Sequence, residues 1–349
     1  MSRLLWLQSA RGVAALLVLF YHCGALAYES STGPFFFGHA GVDLFFVISG
    51  YIIFRVHEKE LGQLNALPGF LYKRFSRIYP PYWVATSLVL IGALIIPSFV
   101  EPEKLRPLAV IESYALFPIN KFKDYPLLPV GWSLFFEMAF YTGFCVLFLV
   151  PRRFATAFLI FWVILGLWLL NWGEGTKGRS SLDGFLFFLT GLPVIEFLSG
   201  AFLAKLKRVP GSLAVWWLAI VICLVPSILI HGWFGRSLAV SFGYALGYWC
   251  VVSLTCFLDH NSPERPPEWL IKCGDQSYSI YLVHFPIILF LDNVIDKMGL
   301  ISYRPISFLV LCLAGFFGGK VFFYVFEKPL LNFARLGYKH WFVLDRDKS

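Results

Sequence analysis

Long uninterrupted runs of apolar residues alternate with short polar stretches along the whole chain. Most runs are about 20 residues long, the length that an α-helix needs to cross the hydrocarbon core of a bilayer. They are continuous rather than alternating residue by residue, which favours helices over the strands of a membrane barrel. The pattern therefore predicts an all-α polytopic membrane protein with about ten transmembrane helices. The predicted spans are 7–27, 38–56, 82–99, 131–150, 154–172, 184–204, 213–231, 237–258, 276–296 and 305–326.

The composition supports a single membrane domain. Hydrophobic residues make up 58% of the chain and charged residues 14%, whereas soluble domains carry roughly 25% charged residues. No internal repeat, low-complexity tract or interdomain linker is visible. We therefore predict one domain over 1–349, with a short tail from about residue 327 that is too small to fold alone.

The distribution of Lys and Arg between the loops predicts the orientation. Of the 29 such residues, Arg11 and Lys320 fall inside spans, and 18 flank the spans on the side of the N-terminus. Because cytoplasmic loops carry the excess of positive charge, both termini are predicted to be cytoplasmic. The net charge of +8 then reflects topology and contact with anionic membrane lipid, and no nucleic-acid partner is predicted. The nine basic residues on the other side are Lys104, Arg106, Lys121, Lys123, Lys177, Arg179, Arg236, Lys297 and Arg304.

Arg11 and His22 interrupt the first apolar run. Eleven helical residues make about three turns, so both side chains share one stripe, about 16 Å apart along the axis. A central Arg costs about 2.5–3.5 kcal/mol even on the insertion scale, and such residues usually face a polar cavity. Arg3 and Ala25-Leu26-Ala27 partly resemble a cleavable signal peptide, but Arg11 breaks the apolar core that such a segment needs. The stripe predicts a functional site within the membrane.

Two carboxylates are predicted at the depth of His22. With the N-terminus inside, His22 lies in the outer third of the first span, and Asp43 and Glu137 lie at similar depth in the second and fourth spans. A carboxylate beside His22 would fix the ring tautomer and raise its basicity, as in pairs of a base and its orienting group. The alternative is that each acid is satisfied by a neighbouring helix, and the sequence leaves open which acid approaches His22.

A basic cluster precedes the third span. Arg74 and Arg77 are three residues apart and share a helical face, and Arg11 is expected at the same cytoplasmic level. Two or three arginines at a cavity mouth would suit phosphates, which Arg binds in bidentate fashion. Anchoring of the loop by its positive charge is the competing interpretation.

The ninth span begins with three polar side chains on one face. Tyr278, Tyr281 and His284 are spaced i, i+3, i+6 and could line a substrate path. Hydrogen bonding between helices would explain them equally well.

The remaining histidines and the cysteines carry less information. His39 is a weaker candidate at the outer mouth, and His57, His231, His260 and His340 are interpreted as loop or surface residues. The seven Cys form no pair or cluster with metal-ligand spacing, which indicates apolar packing. No metal site is predicted.

Six segments in chain order resemble the acyltransferase-3 family of bacterial inner-membrane acyltransferases, and in particular its exopolysaccharide acetyltransferase branch. Leu7-Gln8 and Glu137-Met138 depart from the commoner Leu-Asp and Glu-Glu, which argues against a second acid after Glu137. The segments are 7–15 with Tyr21-His22 (Arg-x10-His), Gly41 to Gly50, Arg74 to Trp83 (Arg-x-x-Arg-Ile-x-Pro), Trp132-Ser133-Leu134 with Glu137, Ser277 to His284, and Glu327-Lys328-Pro329.

The resemblance implies a membrane-embedded O-acyltransferase of the bacterial inner membrane. It implies transfer of an acyl group, usually acetyl, from cytoplasmic acyl-CoA to a hydroxyl of a surface or exported polysaccharide or its lipid-linked precursor, with polysaccharide-assembly proteins as conceivable partners. Joined to the depth argument, it assigns the CoA phosphates to Arg11, Arg74 and Arg77. It makes His22, oriented by Asp43 or Glu137, the general base. The alternative class is a transporter or flippase for a glycan or lipid-linked sugar, which would be expected to show repeats.

Overall fold

Every regular element that the structure describes is helical. The computed structural model describes residues 4–30, 33–96, 99–117, 126–172, 187–206, 209, 211–235, 237–298 and 304–340. Ten of the loop basic residues used above lie outside these ranges, namely Arg3, Lys121, Lys123, Lys177, Arg179, Lys207, Arg208, Arg236, Arg346 and Lys348. The helices are α1 Leu5–Ala27, α2 Gly41–His57, α3 Leu67–Ile95, α4 Pro107–Ala115, α5 Trp132–Leu149, α6 Ala155–Trp172, α7 Pro193–Ala204, α8 Leu213–Phe234, α9 Leu238–Asn261, α10 Glu268–Asp275, α11 Ser277–Lys297, α12 Arg304–Phe322 and α13 Lys328–Lys339.

Within the described ranges, nine helical segments are long and apolar enough to cross a membrane. The predicted all-α class is confirmed, and the prediction of about ten spans differs by one at 184–204. There residues 187–190 are helical, Gly191 and Leu192 interrupt the helix, and the 12-residue helix α7 follows. The first residues of that predicted span lie outside the described ranges. Pro193 is the first residue of α7 and has no N–H to continue a preceding helix, so a shorter helix starts there.

The predicted start of the third span was wrong. We placed it at residue 82, after Pro80 and Pro81, but α3 begins at Leu67 and runs for 29 residues through both prolines. Prolines are tolerated inside membrane helices because neighbouring groups satisfy the freed backbone. Arg74 and Arg77 consequently lie on a helix that continues into the membrane, not on a loop before it.

The last helix also extends beyond its predicted end. Helix α12 passes through a π-helical turn, Phe323–Glu327, directly into α13. Glu327 in this turn is buried, and its carboxylate accepts a hydrogen bond from the Ser279 hydroxyl of α11. The wide turn therefore directs an acidic side chain inward at the point where we predicted a tail to begin.

Helix α1 occupies the centre of the bundle, where it packs against α2, α9, α10, α11 and α12. Its first turn is capped from another helix: the carboxylate of Asp259, near the end of α9, accepts hydrogen bonds from the backbone N–H groups of Trp6 at 3.0 Å and Leu7 at 3.3 Å. A carboxylate stabilises the free N–H groups and the positive dipole end of a helix. We call the side on which α1 begins the near side and the opposite side the far side.

Helices α2 and α7 cross at two glycines. A Cβ atom on Gly200 would lie 2.0 Å from the backbone oxygen of Val47, and one on Gly50 would lie 1.8 Å from that of Phe197. These distances leave no room for a methyl group against rigid backbone. Because α2 carries residues of the site described below, this crossing fixes one wall of it.

We expect Gly200→Ala to destabilise the protein by about 1–3 kcal/mol, the usual cost of overpacking a core. The midpoint of thermal unfolding in one detergent measures the change. Gly92→Ala is the matched control, because its Cβ would meet only the flexible Phe99 ring at 3.3 Å. An equal effect of both substitutions would contradict the close crossing.

Candidate active site

A partly open cavity of about 90 Å³ lies between α1, α2, α3, α5 and α11. The polar residues in its wall include six of the nine that the sequence singled out. The residues with polar side chains are Arg11, Ser49, Arg74, Arg77, Ser133, Glu137, Tyr141, Ser277, Tyr278 and Tyr281.

Arg74 is the most buried of the three arginines, with 9% of its surface exposed. Its guanidinium carbon lies 5.8 Å from the centre of the Phe70 ring and 5.9 Å from that of Tyr141. One terminal NH₂ group is 3.4 Å from Nε2 of His57, whereas its buried Nε–H has no hydrogen-bond partner among the described residues. A buried cation with an unused donor is costly in a low dielectric and would be stabilised by an anion.

Arg11 and Arg77 complete a cationic group in the cavity wall. Arg11 donates to the side-chain oxygen of Gln8 at 3.5 Å, and its electrostatic neighbours include Arg77 and the acids Glu137 and Glu327. Among the described residues, none of the three arginines has a carboxylate within 4 Å. The like charges are therefore brought together without close neutralisation, which is typical of sites for multivalent anions.

Glu137 faces the arginines from α5 and is held through one oxygen of its carboxylate. It accepts a hydrogen bond from the Tyr141 hydroxyl, and the Ser49 hydroxyl of α2 lies 3.4 Å from the same oxygen. Tyr141 in turn contacts Arg74 through its ring. The acid is consequently positioned beside the cationic group rather than beside His22.

Tyr278 and Tyr281 line the cavity and also join helices. The Tyr278 hydroxyl donates to the backbone oxygen of Ile78 in α3 at 2.9 Å. The Tyr281 hydroxyl lies 2.7 Å from the Ser133 hydroxyl and 3.1 Å from the backbone oxygen of Val130. The two tyrosines thus line the cavity and form hydrogen bonds between helices at the same time. The two interpretations from the sequence, lining of a path and hydrogen bonding between helices, do not exclude each other.

His22 and His284 form a pair deeper in the protein, one helical turn beyond Tyr281. Nδ1 of His22 lies 3.0 Å from Nε2 of His284 and 3.1 Å from the backbone oxygen of Val18. Nδ1 of His284 faces two backbone oxygens, of Ile280 at 3.0 Å and Tyr281 at 2.8 Å. Carbonyl oxygens only accept, so Nδ1 carries the proton in each neutral ring. Nε2 of His284 then accepts from His22, and Nε2 of His22 keeps its lone pair.

The structure thus brings His284, rather than a carboxylate, to His22. Asp43 is buried on α2, with Tyr248 of α9 among its electrostatic neighbours, and it is not part of the cavity wall that the described residues form. Depth along a helix predicts the layer in which a residue lies but not the direction in which its side chain points. Glu137 lies in the cavity wall next to Ser49 of α2, whereas Asp43 lies six residues earlier on α2 and outside that wall.

Two of the histidines interpreted as loop or surface residues have buried or paired rings. His57 has no exposed surface, because the early start of α3 covers the end of α2, and its ring packs against Phe70 and Phe148. On the far side, Nδ1 of His231 lies 2.6 Å from Nε2 of His39. The interpretation of these two residues as loop or surface residues was therefore wrong. The His57 ring is buried, and His231 lies within helix α8 with its ring against that of His39.

Glu327 was not singled out as a site residue, although its motif was visible. It is buried beside α11, and Arg77 and Arg11 are among its electrostatic neighbours. The signal that could have found it is an acid directly before Lys328-Pro329 at the end of an apolar run.

The fold and the site are those of a multi-pass membrane protein that has an arginine-lined cavity between its helices and a histidine pair beside that cavity. The comparison with known sequences makes the class specific: residues 4–325 match the acyltransferase domain, and the chain belongs to the acyltransferase-3 family.

Similar proteins include two named bacterial relatives. The exopolysaccharide production protein ExoZ of Rhizobium meliloti strain 1021 is 30% identical over 320 residues, which cover 88% of this chain and 94% of that protein. The peptidoglycan O-acetyltransferase OatA of Listeria monocytogenes is 25% identical over 378 residues, which cover 98% of this chain and 58% of the relative. This chain therefore spans nearly all of the first relative and little more than half of the second. No solved structure matches the chain.

Proposed function

We propose that this protein is a membrane O-acyltransferase that moves an acyl group, acetyl in the first instance, from cytoplasmic acyl-CoA to a hydroxyl of a surface or exported polysaccharide or its lipid-linked precursor. The observation that carries the proposal is the cavity that Arg11, Arg74 and Arg77 line, with the His22–His284 pair beside it. The names of the two relatives, an exopolysaccharide production protein and a peptidoglycan O-acetyltransferase, support a polysaccharide acceptor.

The three arginines would bind the phosphates of acyl-CoA. A guanidinium donates two parallel hydrogen bonds to a phosphate, and clustered cations suit a ligand with several negative charges. The unpartnered Nε–H of Arg74 is a donor ready for such an oxygen. The acyl-pantetheine arm would then extend past Tyr281 towards His22.

His22 would act as the general base. The acceptor hydroxyl gives its proton to Nε2 of His22 as its oxygen attacks the thioester carbon; the C–S bond then breaks, and the thiolate of CoA takes the proton from the imidazolium. His284 would hold the reactive tautomer and accept from Nδ1–H of His22 as charge develops. A catalytic role for Glu137 and Asp43 stays a prediction. Glu137 would act from its position beside the arginines.

The proposed orientation puts the near side in the cytoplasm, with both termini there, in a bacterial inner membrane. The excess of 18 basic residues over nine supports it. The arginine-lined cavity would then receive acyl-CoA from the compartment in which CoA is made, and the acceptor would approach from the far side.

Vesicles of opposite orientation test donor, sidedness and class in one experiment. We expect radiolabelled acetyl-CoA added to sealed inside-out membrane vesicles to yield labelled polysaccharide and free CoA, whereas right-side-out vesicles yield neither. Vesicles that lack the protein are the control. Movement of saccharide across the membrane without release of CoA would show a transporter instead of an acyltransferase. Labelling only in right-side-out vesicles would show that the orientation is the reverse of the one proposed.

A further inference from the structure

The end of α2 carries a buried histidine that contacts one of the three cavity arginines. His57 lies between the rings of Phe70 and Phe148, with centroid distances of 5.0 and 6.2 Å. Nε2 of the ring is 3.4 Å from an NH₂ group of Arg74. Nδ1 is 2.5 Å from a carboxylate oxygen of Glu60, which lies one turn further along the chain. The three side chains form a line from the near-side surface to the cavity wall.

The donors and acceptors in this line fix the state of the imidazole. A guanidinium only donates, so Nε2 of His57 must accept and carries no proton. The proton then lies on Nδ1 and is donated to the carboxylate of Glu60. An acid that holds a histidine in one tautomer so that the other nitrogen can act is the general logic of orienting groups. Here the group that benefits is an arginine.

Arg74 gains from such a group because contact with a ring face does not by itself fix the plane of a guanidinium. Its other contacts among the described residues are with the ring face of Phe70 and with the ring and hydroxyl of Tyr141. A hydrogen bond at one NH₂ group determines the plane of the guanidinium. With that group used, Nε–H and the second NH₂ group are the donors left for a ligand in the cavity.

We propose that His57, held by Glu60, is a positioning residue that orients the guanidinium of Arg74 for the phosphate groups of the acyl donor. The inference rests on the proposed function, because it takes the donor to be an acyl-CoA. It adds two residues, neither of which belongs to the motifs that identify the family in this chain. It also explains why a histidine is buried at the membrane boundary, where a phenylalanine would pack as well.

The test is the dissociation constant for CoA of the full-length protein in nanodiscs. We expect His57→Phe, which keeps the packing but removes both hydrogen bonds, to weaken binding by about tenfold, the loss typical of one hydrogen bond to a charged group. His57→Gln should restore most of the affinity, because its amide can accept from Arg74 and donate to Glu60. Glu60→Ala should weaken binding by a smaller factor, about threefold.

Glu58→Ala is the matched control. Glu58 lies two residues before Glu60, its side chain is 39% exposed against 38% for Glu60, and it pairs with Arg152 at 3.1 Å instead of with His57. We expect its affinity for CoA to equal that of the wild type. Thermal unfolding of each variant shows whether packing has changed, and the Gln and Glu60 variants carry the test if His57→Phe does not fold.

A double-mutant cycle with Arg74→Ala separates this inference from the proposed function. If His57 acts through Arg74, His57→Phe has no further effect once Arg74 is removed. Weak binding in Arg74→Ala combined with wild-type affinity in both His57→Phe and Glu60→Ala would overturn the positioning role alone. A purely structural role would make Gln no better than Phe. Wild-type affinity in Arg74→Ala would overturn the donor site itself.

Discussion

Replacing His22 with Ala is expected to reduce acyl transfer by about 10²–10⁴-fold, the contribution of a positioned general base. The effect should fall on turnover, because the proton transfer that is lost occurs in the transition state. Affinity for CoA should be unchanged, since His22 lies outside the cavity wall that the arginines line. Initial rates of acetyl transfer at saturating acetyl-CoA, compared with the dissociation constant for CoA, measure the two quantities separately.

Two further variants sharpen this experiment. His284→Phe removes the acceptor for Nδ1–H of His22 and should lower turnover by a smaller factor, about 10-fold or more. His260→Ala is the control, because that ring is exposed, lies 2.7 Å from the backbone oxygen of Cys256 and is on the near side, away from His22. Acylation at the wild-type rate in His22→Ala would remove His22 from the reaction.

Replacing Arg77 or Arg74 with Lys is expected to raise the KM for acetyl-CoA by about tenfold, because Lys lacks the planar fork that binds phosphate through two hydrogen bonds. Turnover should change little, since the interaction is present before and during the reaction. Saturation curves for acetyl-CoA in proteoliposomes of fixed lipid composition give both parameters.

Arg153→Lys is the matched control for these variants. Arg153 belongs to the same near-side basic set, is exposed, and contacts only the ring of Phe154 among the interactions described. Its replacement tests the competing interpretation that the cluster is an anchor in anionic lipid, for which either cation suffices. An unchanged KM in both cavity variants would favour the anchor.

The sequence was sufficient to predict that Arg11, Arg74 and Arg77 lie close together. Arg11, Arg74 and Arg77 could be assigned to one level because helical rise converts residue number into depth, and the structure has all three in one cavity wall. Glu137 was predicted at the depth of His22, but it lies in the cavity wall with the arginines instead. Depth does not give the direction of a side chain around a helix, so the partner of His22 was expected to be an acid and is His284.

The part of the site around His57 could not be predicted. Its surroundings depend on where α3 begins, and Pro80, Pro81 and the basic residues before them indicated a start about 15 residues too late. Proline has a strong local effect in water, but a membrane bundle supplies other partners for the backbone. The burial of His57 therefore follows from tertiary packing that no local pattern contains.

The contacts of α1 with late parts of the chain have a consequence for the order in which the protein is assembled. The N–H groups of Trp6 and Leu7 bind the carboxylate of Asp259, which lies 253 and 252 residues later in the chain. His22 contacts the ring of His284, which lies 262 residues later. A nascent chain that has inserted its first eight helices therefore holds the arginines but neither the cap nor the partner of His22. If His22 is the base that we propose, the catalytic centre is completed only when the helix that carries His284 has entered the membrane.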